Sequence, residues 1–277
     1  MRILFLHLLL SMFFCTSYAL TTEEKIEKKK RAVIVITTYD NNDRPLEYGS
    51  GFFINSKGGF ITNHHVLKSF LDNKDNYKIS IQTQSGTSFS DIKILKCSNE
   101  KKIDLCHGEV TSTDKIYFFD LVQKSTSTPQ DFVLIGHNNN NYFSVRKGIT
   151  GKLINNIGES FGVRPEQRDN LNVPMLTLDG YEYSNGKCKG DSGSPVFDPY
   201  SDKILGVFTE CFTSNKTAQV TKLAIDAIAV YEFTNLNANN INLKIKQSSI
   251  HLFKKSNKPE IGKELDDEIK FGFPNSK

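Results

Sequence analysis

Short runs of apolar and β-branched residues recur along the chain, and turn-forming residues separate them. The run Ala32–Tyr39 (AVIVITTY), for example, is followed at once by the turn residues Asp40-Asn-Asn-Asp43. Runs of this length that are bounded by Gly, Asn and Asp predict β-strands. Strands are predicted at 32–39, 50–55, 59–62, 77–83, 91–97, 132–136, 143–145, 174–178, 194–198 and 203–209.

The order of these runs predicts an all-β protein. Strand and helix patterns do not alternate, which disfavours a parallel α/β sheet and favours an antiparallel barrel or sandwich. The polar segment 124–130 (KSTSTPQ) predicts a linker between two β lobes, 32–123 and 131–236, of one domain spanning 32–236. Residues 20–31 are expected to form a charged amino-terminal arm, as a solvated helix or a flexible segment, and 237–277 a polar carboxyl-terminal extension.

The first 19 residues (MRILFLHLLLSMFFCTSYA) combine a positive start, an apolar centre and small residues before position 20. This pattern predicts a cleaved secretory signal at 1–19. Its apolar run is shorter than the roughly 20 residues that a membrane-spanning helix needs. An uncleaved anchor is the alternative. We therefore expect a secreted or periplasmic protein that has no membrane attachment after cleavage.

Composition narrows the possible functions. The formal net charge is only +4, which is too mild to indicate nucleic-acid binding. Aromatic residues make up 11% of the chain, which excludes wholesale disorder. After the predicted signal four cysteines remain, Cys97, Cys106, Cys188 and Cys211. In an oxidising compartment they favour two disulfides, with three possible connectivities, over a zinc site, because the chain lacks a Cys-x-x-Cys pair.

The segment Gly190-Asp-Ser-Gly-Ser-Pro195 carries the strongest chemical signal. A serine flanked by glycines can expose its hydroxyl on a tight turn, and the amides of Gly190 and Ser192 can then form an oxyanion hole. Serine needs a base, which His65 can supply, and Asp104 can orient the imidazole. The sequence therefore predicts a nucleophilic triad of His65, Asp104 and Ser192. A glycine-rich turn without chemistry is the alternative.

These motifs resemble those of trypsin-like serine proteases, and the bacterial HtrA-like proteases look nearest. Tyr48–Ile54 (YGSGFFI) is similar to a strand of the family's first barrel, and Thr62–Val66 (TNHHV) to its catalytic-histidine motif. Ile103–Leu105 (IDL) is similar to the catalytic-aspartate motif, and 190–195 to the nucleophile motif. The resemblance covers roughly residues 32–232.

The resemblance implies two perpendicular six-stranded antiparallel β-barrels, with the active site in the cleft between them. It implies a serine endopeptidase that cleaves peptide or protein substrates through an acyl-enzyme, without a metal or cofactor. A catalytically silent protease-fold binding module is the alternative. An α/β-hydrolase esterase is disfavoured because residue 194 is Ser where that motif has Gly. Oligomeric state stays open.

Among the histidines, His65 is preferred over His64 because the family's base directly precedes the residue at Val66. His107 and His137 also lie near motifs, and they are expected to be solvated or hydrogen-bonded histidines.

The resemblance also implies the disulfides and a specificity pocket. Cys188 is expected to pair with Cys211, bracing the pocket, and Cys97 with Cys106, which flank a short turn beside Asp104. The pocket residues would be Gly186, Lys187, Phe208, Thr209 and Glu210.

Substrate preference and activation are left open. Lys187 could favour an acidic substrate side chain, or it could pair with Glu210. Where this chain has Asp191, HtrA-like enzymes usually have Asn, and secreted trypsin-like enzymes have an acid that pairs with a new amino terminus after cleavage. Cleavage after Lys25 would expose such a terminus at Ile26.

Overall fold

The computed structural model describes residues 20–98, 103–124, 129–138, 141–154, 173–181, 188–213 and 220–235. The predicted signal at 1–19 and the predicted extension at 237–277 lie outside these ranges. Three helices occur within them, α1 (Thr22–Lys30), α2 (His64–Asp72) and α3 (Ala227–Asn235). None of these described helices is long and apolar enough to cross a membrane.

Strands dominate the described ranges. The strands are β1 (Val33–Asp40), β2 (Pro45–Phe53), β3 (Gly59–Thr62), β4 (Tyr77–Thr83), β5 (Ser88–Phe89), β6 (Ile92–Ser98), β7 (Leu105–Val110), β8 (Asp131–Asn138), β9 (Asn141–Ile154), β10 (Met175–Asp179), β11 (Pro195–Phe197), β12 (Ile204–Thr213) and β13 (Val220–Asp226).

The first seven strands form one curled antiparallel sheet in the order β5-β4-β1-β2-β3-β7-β6. Side chains alternate between the two faces of a strand, so each strand can serve two clusters. On β1, Ile34 and Ile36 pack with Phe60 in the interior of the curled sheet. Val33 points the other way, into a cluster that also contains residues of the second half of the chain.

The remaining strands close into a six-stranded barrel in the order β10-β13-β12-β11-β8-β9. The same alternation divides β8. Phe132 and Leu134 fill the barrel interior together with Phe208, whereas Val133 and Ile135 pack in the cluster shared with the first sheet. The two β units are therefore joined by a common hydrophobic core.

This architecture confirms the predicted all-β class and agrees with a chymotrypsin-like double barrel. The first unit has seven strands rather than six, because the two-residue strand β5 adds to one edge. The predictions missed β7, β13 and the two-residue β5. The β7 sequence (LCHGEV) has a central Gly108, where a Cβ would lie only 2.5 Å from the Phe60 ring. The expected boundaries of the domain and its lobes stay predictions.

The amino-terminal arm is a capped and partly buried helix. Thr21 and Glu24 form a capping box at the start of α1, which satisfies amides that the helix leaves without partners. Ile26 is 4% exposed and belongs to the shared core. The Lys25 ammonium donates to the Tyr200 carbonyl at 3.0 Å. These contacts hold α1 against the second barrel, which the sequence pattern did not show.

Phe119 connects the two β units. Its ring centroid lies 5.6 Å from that of Phe52, in the first sheet, and 5.1 Å from that of Phe197, in the second barrel. The Lys29 ammonium lies 4.9 Å from the centre of the same ring. One fully buried side chain therefore touches both halves and α1.

Replacing this junction residue is expected to destabilise the whole domain. F119A removes a buried aromatic ring and should lower the free energy of unfolding by about 3–5 kcal/mol, measured by urea unfolding. F118A is the matched control, because Phe118 is 37% exposed and its truncation should cost less than about 0.5 kcal/mol. Equal losses in the two variants would contradict the role assigned to Phe119.

Candidate active site

The imidazole and the acid are brought together where β3 ends. Asn63 is the N-cap of α2, so His64 and His65 form the first turn of that helix. Asp104 directly precedes β7, and its carbonyl accepts hydrogen bonds from Asn63 Nδ2 at 2.9 Å and from the His64 amide at 3.2 Å. Asp104 has φ +56°, a left-handed conformation that Asp tolerates better than most residues. The backbone thus fixes the acid next to the helix.

His65 makes two contacts with the Asp104 carboxylate. Its Nδ1 lies 2.8 Å from Oδ2, and its backbone amide donates to Oδ1 at 3.0 Å. A carboxylate can only accept, so Nδ1 carries the hydrogen and Nε2 of the neutral ring keeps its lone pair. This arrangement gives the imidazole the orientation that a general base requires, and it joins the two residues that the sequence analysis named as base and acid.

Thr209 is the second partner of this carboxylate. Its hydroxyl donates to Asp104 Oδ2 at 2.8 Å. The pairing of β12 with β13 shifts register between Phe208 and Glu210, which marks a bulge at Thr209. A bulge can redirect a side chain relative to its strand, and here the redirected hydroxyl crosses from the second barrel to the acid of the first sheet.

The pKa of Asp104 reflects opposing effects. Burial by itself raises the pKa, but the charge of His65 and the hydrogen bonds from His65 and Thr209 hold it below the ordinary value of 3.8. Asp104 is therefore ionised at neutral pH. Its contribution to stability is present above the unfolded-state pKa and is lost as the pH falls through the folded-state value.

Ser192 lies on a tight loop between the Cys188–Cys211 disulfide and β11. Gly190 and Gly193 both adopt left-handed backbone conformations, with φ +94° and +87°. The half-buried Ser192 donates its hydroxyl to the Thr209 carbonyl at 3.1 Å. Thr209 thus contacts Ser192 through its carbonyl and Asp104 through its hydroxyl, which brings all three predicted triad residues into one site.

The backbone amides of this loop differ in whether they donate a hydrogen bond within the protein. Those of Asp191, Gly193 and Ser194 donate to backbone carbonyls at 3.2, 2.9 and 2.9 Å. Within the described part of the chain, the Gly190 and Ser192 amides donate to no protein acceptor. A Cβ at position 190 would lie 2.1 Å from the His137 carbonyl oxygen, so only glycine fits there. These two amides are the ones that the sequence analysis named as oxyanion donors.

Asp191 has an internal cationic partner. Its fully buried carboxylate accepts from Arg146 Nη1 at 2.9 Å and from Asn138 Nδ2 at 3.2 Å. The guanidinium comes from β9 and is itself largely buried. The new amino terminus considered at Ile26 is not needed to compensate this acid, and Ile26 lies inside α1 with its side chain in the core.

Both implied disulfides are present. Cys97 on β6 and Cys106 on β7 are directly opposite each other. Cys106 lies two residues after Asp104. Cys188 pairs with Cys211, which lies two residues after Thr209. Each disulfide therefore ties down a segment that carries a residue of the site.

The predicted specificity pocket is only partly described. Gly186 and Lys187 lie outside the described residues. Phe208 is fully buried in the interior of the second barrel, so only its backbone could line a pocket, and the Thr209 hydroxyl is directed at Asp104. Glu210 is half-buried. The pocket and the substrate preference stay predictions.

Comparisons with known proteins agree with this geometry. The trypsin-like peptidase domain family matches residues 49–207, which is more than half of the chain. The chain therefore belongs to that family. The crystal structure of Deg5 superposes with a TM-score of 0.55 at 20% sequence identity, covering 77% of this chain and 93% of Deg5, and it supports the fold.

Curated relatives include HtrA-type proteases. A probable periplasmic serine endoprotease DegP-like of Bartonella henselae is 26% identical over 171 residues, and the human serine protease HTRA3 is 26% identical over 182 residues. These alignments cover 61% and 60% of this chain but only 29% and 38% of the relatives. The chain thus spans about a third of the length of these relatives.

The Arg146–Asp191 pair yields a stability prediction. R146M leaves a buried carboxylate without its cation and should lower the free energy of unfolding by about 3–5 kcal/mol. The neighbouring Lys147 is the matched control, because it is 58% exposed and its pair with Glu23 is at the surface. K147M should cost less than about 1 kcal/mol in the same urea titration. A loss as small in R146M would show that the ion pair does not hold this loop.

Proposed function

We propose that the protein is a serine endopeptidase that hydrolyses peptide bonds through an acyl-enzyme on Ser192. The observation that carries this proposal is the double contact of Thr209 with the Ser192 hydroxyl and the Asp104 carboxylate. This contact supports a shared site for the proposed nucleophile and the proposed acid, which come from different β units, and the acid in turn contacts the proposed base His65. Membership of the trypsin-like peptidase family supports the same reaction.

In the proposed reaction His65 acts as the general base. The Ser192 hydroxyl turns from the Thr209 carbonyl towards His65 Nε2, loses its proton to it, and attacks the scissile carbonyl. Hydrogen bonds of active sites often reach their productive geometry only when substrate is bound. His65 then returns the proton to the leaving amine, while Asp104 holds the imidazole tautomer and stabilises its cation. Water repeats the sequence to release the acyl group.

The loop around Ser192 would stabilise the developing negative charge. The Gly190 and Ser192 amides are the proposed donors, because the neighbouring amides are already bonded within the protein. One oxyanion donor typically supplies about 3 kcal/mol, or roughly 10²–10³ in rate. The left-handed Gly190 and the ion-paired Asp191 would keep these donors in place before substrate arrives.

We also propose an extracytoplasmic location and peptide or protein substrates. Two disulfides are typical of proteins that mature in an oxidising compartment. The amino-terminal sequence pattern and the periplasmic description of the Bartonella relative point in the same direction. The reaction as written uses no metal ion or cofactor.

Covalent labelling tests this proposal directly. A fluorophosphonate probe reacts with serine only when a base activates the hydroxyl, so the wild-type protein should be labelled at Ser192 and should cleave denatured casein. S192A should fold normally, by circular dichroism and urea unfolding, and lose both activities. S194A is the matched control, because Ser194 lies on the same loop but its hydroxyl is fully buried.

Three outcomes would count against the proposal. Wild-type protein that resists the probe at pH 8 would favour a catalytically silent binding module. Labelling that persists in S192A would remove the nucleophile assignment, and so would full peptidase activity in that variant.

A further inference from the structure

His137 lies beside the Ser192 loop but is not part of the proposed triad. It occupies the penultimate position of β8 and is 1% exposed. Its ring contacts Tyr48 edge-on at a centroid distance of 4.9 Å, and it lies against Tyr142 at 4.2 Å with an interplanar angle of 34°. The sequence led us to expect a solvated or hydrogen-bonded histidine. The structure instead buries this one between two aromatic rings.

The backbone of His137 contacts the Ser192 loop through Ser50 and at Gly190. Its amide donates to Ser50 Oγ at 2.9 Å, and that hydroxyl donates in turn to the Gly190 carbonyl at 2.8 Å. The Ser50 amide donates to the Ser192 carbonyl at 2.8 Å. A Cβ at Gly190 would lie 2.1 Å from the His137 carbonyl oxygen and 3.3 Å from its ring carbon Cδ2. Gly190 therefore rests directly on His137.

The ring nitrogen Nδ1 of His137 has an unusual environment. Among the described residues it is buried and has no hydrogen-bond partner. Most buried polar atoms are paired, so this exception calls for an explanation. A neutral imidazole can keep Nδ1 as an unprotonated acceptor, but an imidazolium would place an N–H donor there without an acceptor. The site therefore favours the neutral ring over the imidazolium.

Two charged groups belong to the loop beside this ring. The Lys189 ammonium lies 5.5 Å from the centre of the Tyr48 ring. The charge of the Asp191 carboxylate is compensated by Arg146 of β9. Tyr48 of β2 and Tyr142 of β9 contact the His137 ring with their aromatic rings. Burial lowers the pKa of His137 below its ordinary value of 6.5.

We propose that His137 is a positioning residue for the oxyanion loop: its neutral ring, held between Tyr48 and Tyr142, keeps Gly190 in place, and protonation of the ring displaces Gly190. This proposal rests on the function proposed above for the loop. It adds a second acid-sensitive group to the site, because His65 must also be neutral to act as a base.

Nuclear magnetic resonance tests the coupling between the two residues without requiring activity. In protein labelled with ¹⁵N and ¹³C, the Gly190 amide and the His137 imidazole are followed from pH 8 to pH 4. We expect the Gly190 resonance to move with the midpoint of His137 in the wild type and also in H65A, where the base is absent. In H137F the Gly190 resonance should stay constant. A Gly190 amide that ignores His137, or that still titrates in H137F, would overturn the proposal.

Kinetics separate positioning from mere packing. At pH 8, H137A should lose a large part of the roughly 10²–10³ in kcat that one oxyanion donor supplies, with KM unchanged. H137F keeps an aromatic ring and should retain wild-type kcat at pH 8, but its activity should fall less steeply in acid because one titrating group is gone. H107F, at a half-buried histidine of β7, is the matched control. It should leave the acidic side of the pH–activity profile unchanged.

The possible failures are distinguishable. If H137F is as impaired as H137A at pH 8, or if its acid limb matches that of the wild type, His137 does not act as proposed. If instead the wild type resists the fluorophosphonate probe, the function proposed for the loop is wrong. The resonance experiment then still decides whether His137 controls the position of Gly190.

Discussion

The site depends on one hydrogen bond between the two β units, from the Thr209 hydroxyl to the Asp104 carboxylate. Asp104 is almost fully buried, so its charge must be compensated by partners within the protein. His65 supplies two contacts from the first sheet and Thr209 supplies one from the second barrel. Because the Thr209 carbonyl also holds Ser192, the same residue that stabilises the acid fixes the position of the hydroxyl.

The Ser192 loop is held by a second set of contacts that repeats this logic. Ser50 of the first sheet bonds both the Gly190 and the Ser192 carbonyls, and Arg146 compensates the buried Asp191 between them. The Gly190 and Ser192 carbonyls and the Asp191 carboxylate thus have partners, whereas the two amides proposed to bind substrate have no protein acceptor among the described residues. A loop held by such hydrogen bonds can keep its amide donors oriented before substrate binds. This preorganisation is the condition for electrostatic stabilisation of a transition state.

Local sequence patterns were sufficient for the fold class, and they also named the three residues of the proposed triad. Runs of apolar and β-branched residues bounded by turn residues predicted most strands, and each residue of the proposed triad lies in a short motif that can be recognised within six residues. The contacts that assemble the site were not predictable in this way. Thr209 and Asp104 are 105 positions apart, and the hydroxyl reaches the acid only because a bulge redirects it. Arg146 lies on a strand whose pattern does not indicate a buried ion pair.

The helices α1 and α3 could not be predicted from local sequence patterns either. The segment that forms α3 (AIAVYEFTN) is rich in apolar residues without clear periodicity, and the structure fixes its end through Lys96 of β6, whose ammonium donates to the Thr234 carbonyl at 3.0 Å. The charged arm forms α1 because Ile26 enters the shared core, which its composition alone does not reveal. In both cases tertiary contacts decide a structure that local propensity leaves open.

The most direct test of the account is a crystal structure of the protein after reaction with a fluorophosphonate. We expect phosphorus bonded to Ser192 Oγ and a phosphoryl oxygen about 2.7–3.1 Å from the Gly190 and Ser192 amides. The contacts of Asp104 with His65 and Thr209 should be retained. Phosphorus on another residue, or a phosphoryl oxygen directed away from both amides, would contradict it.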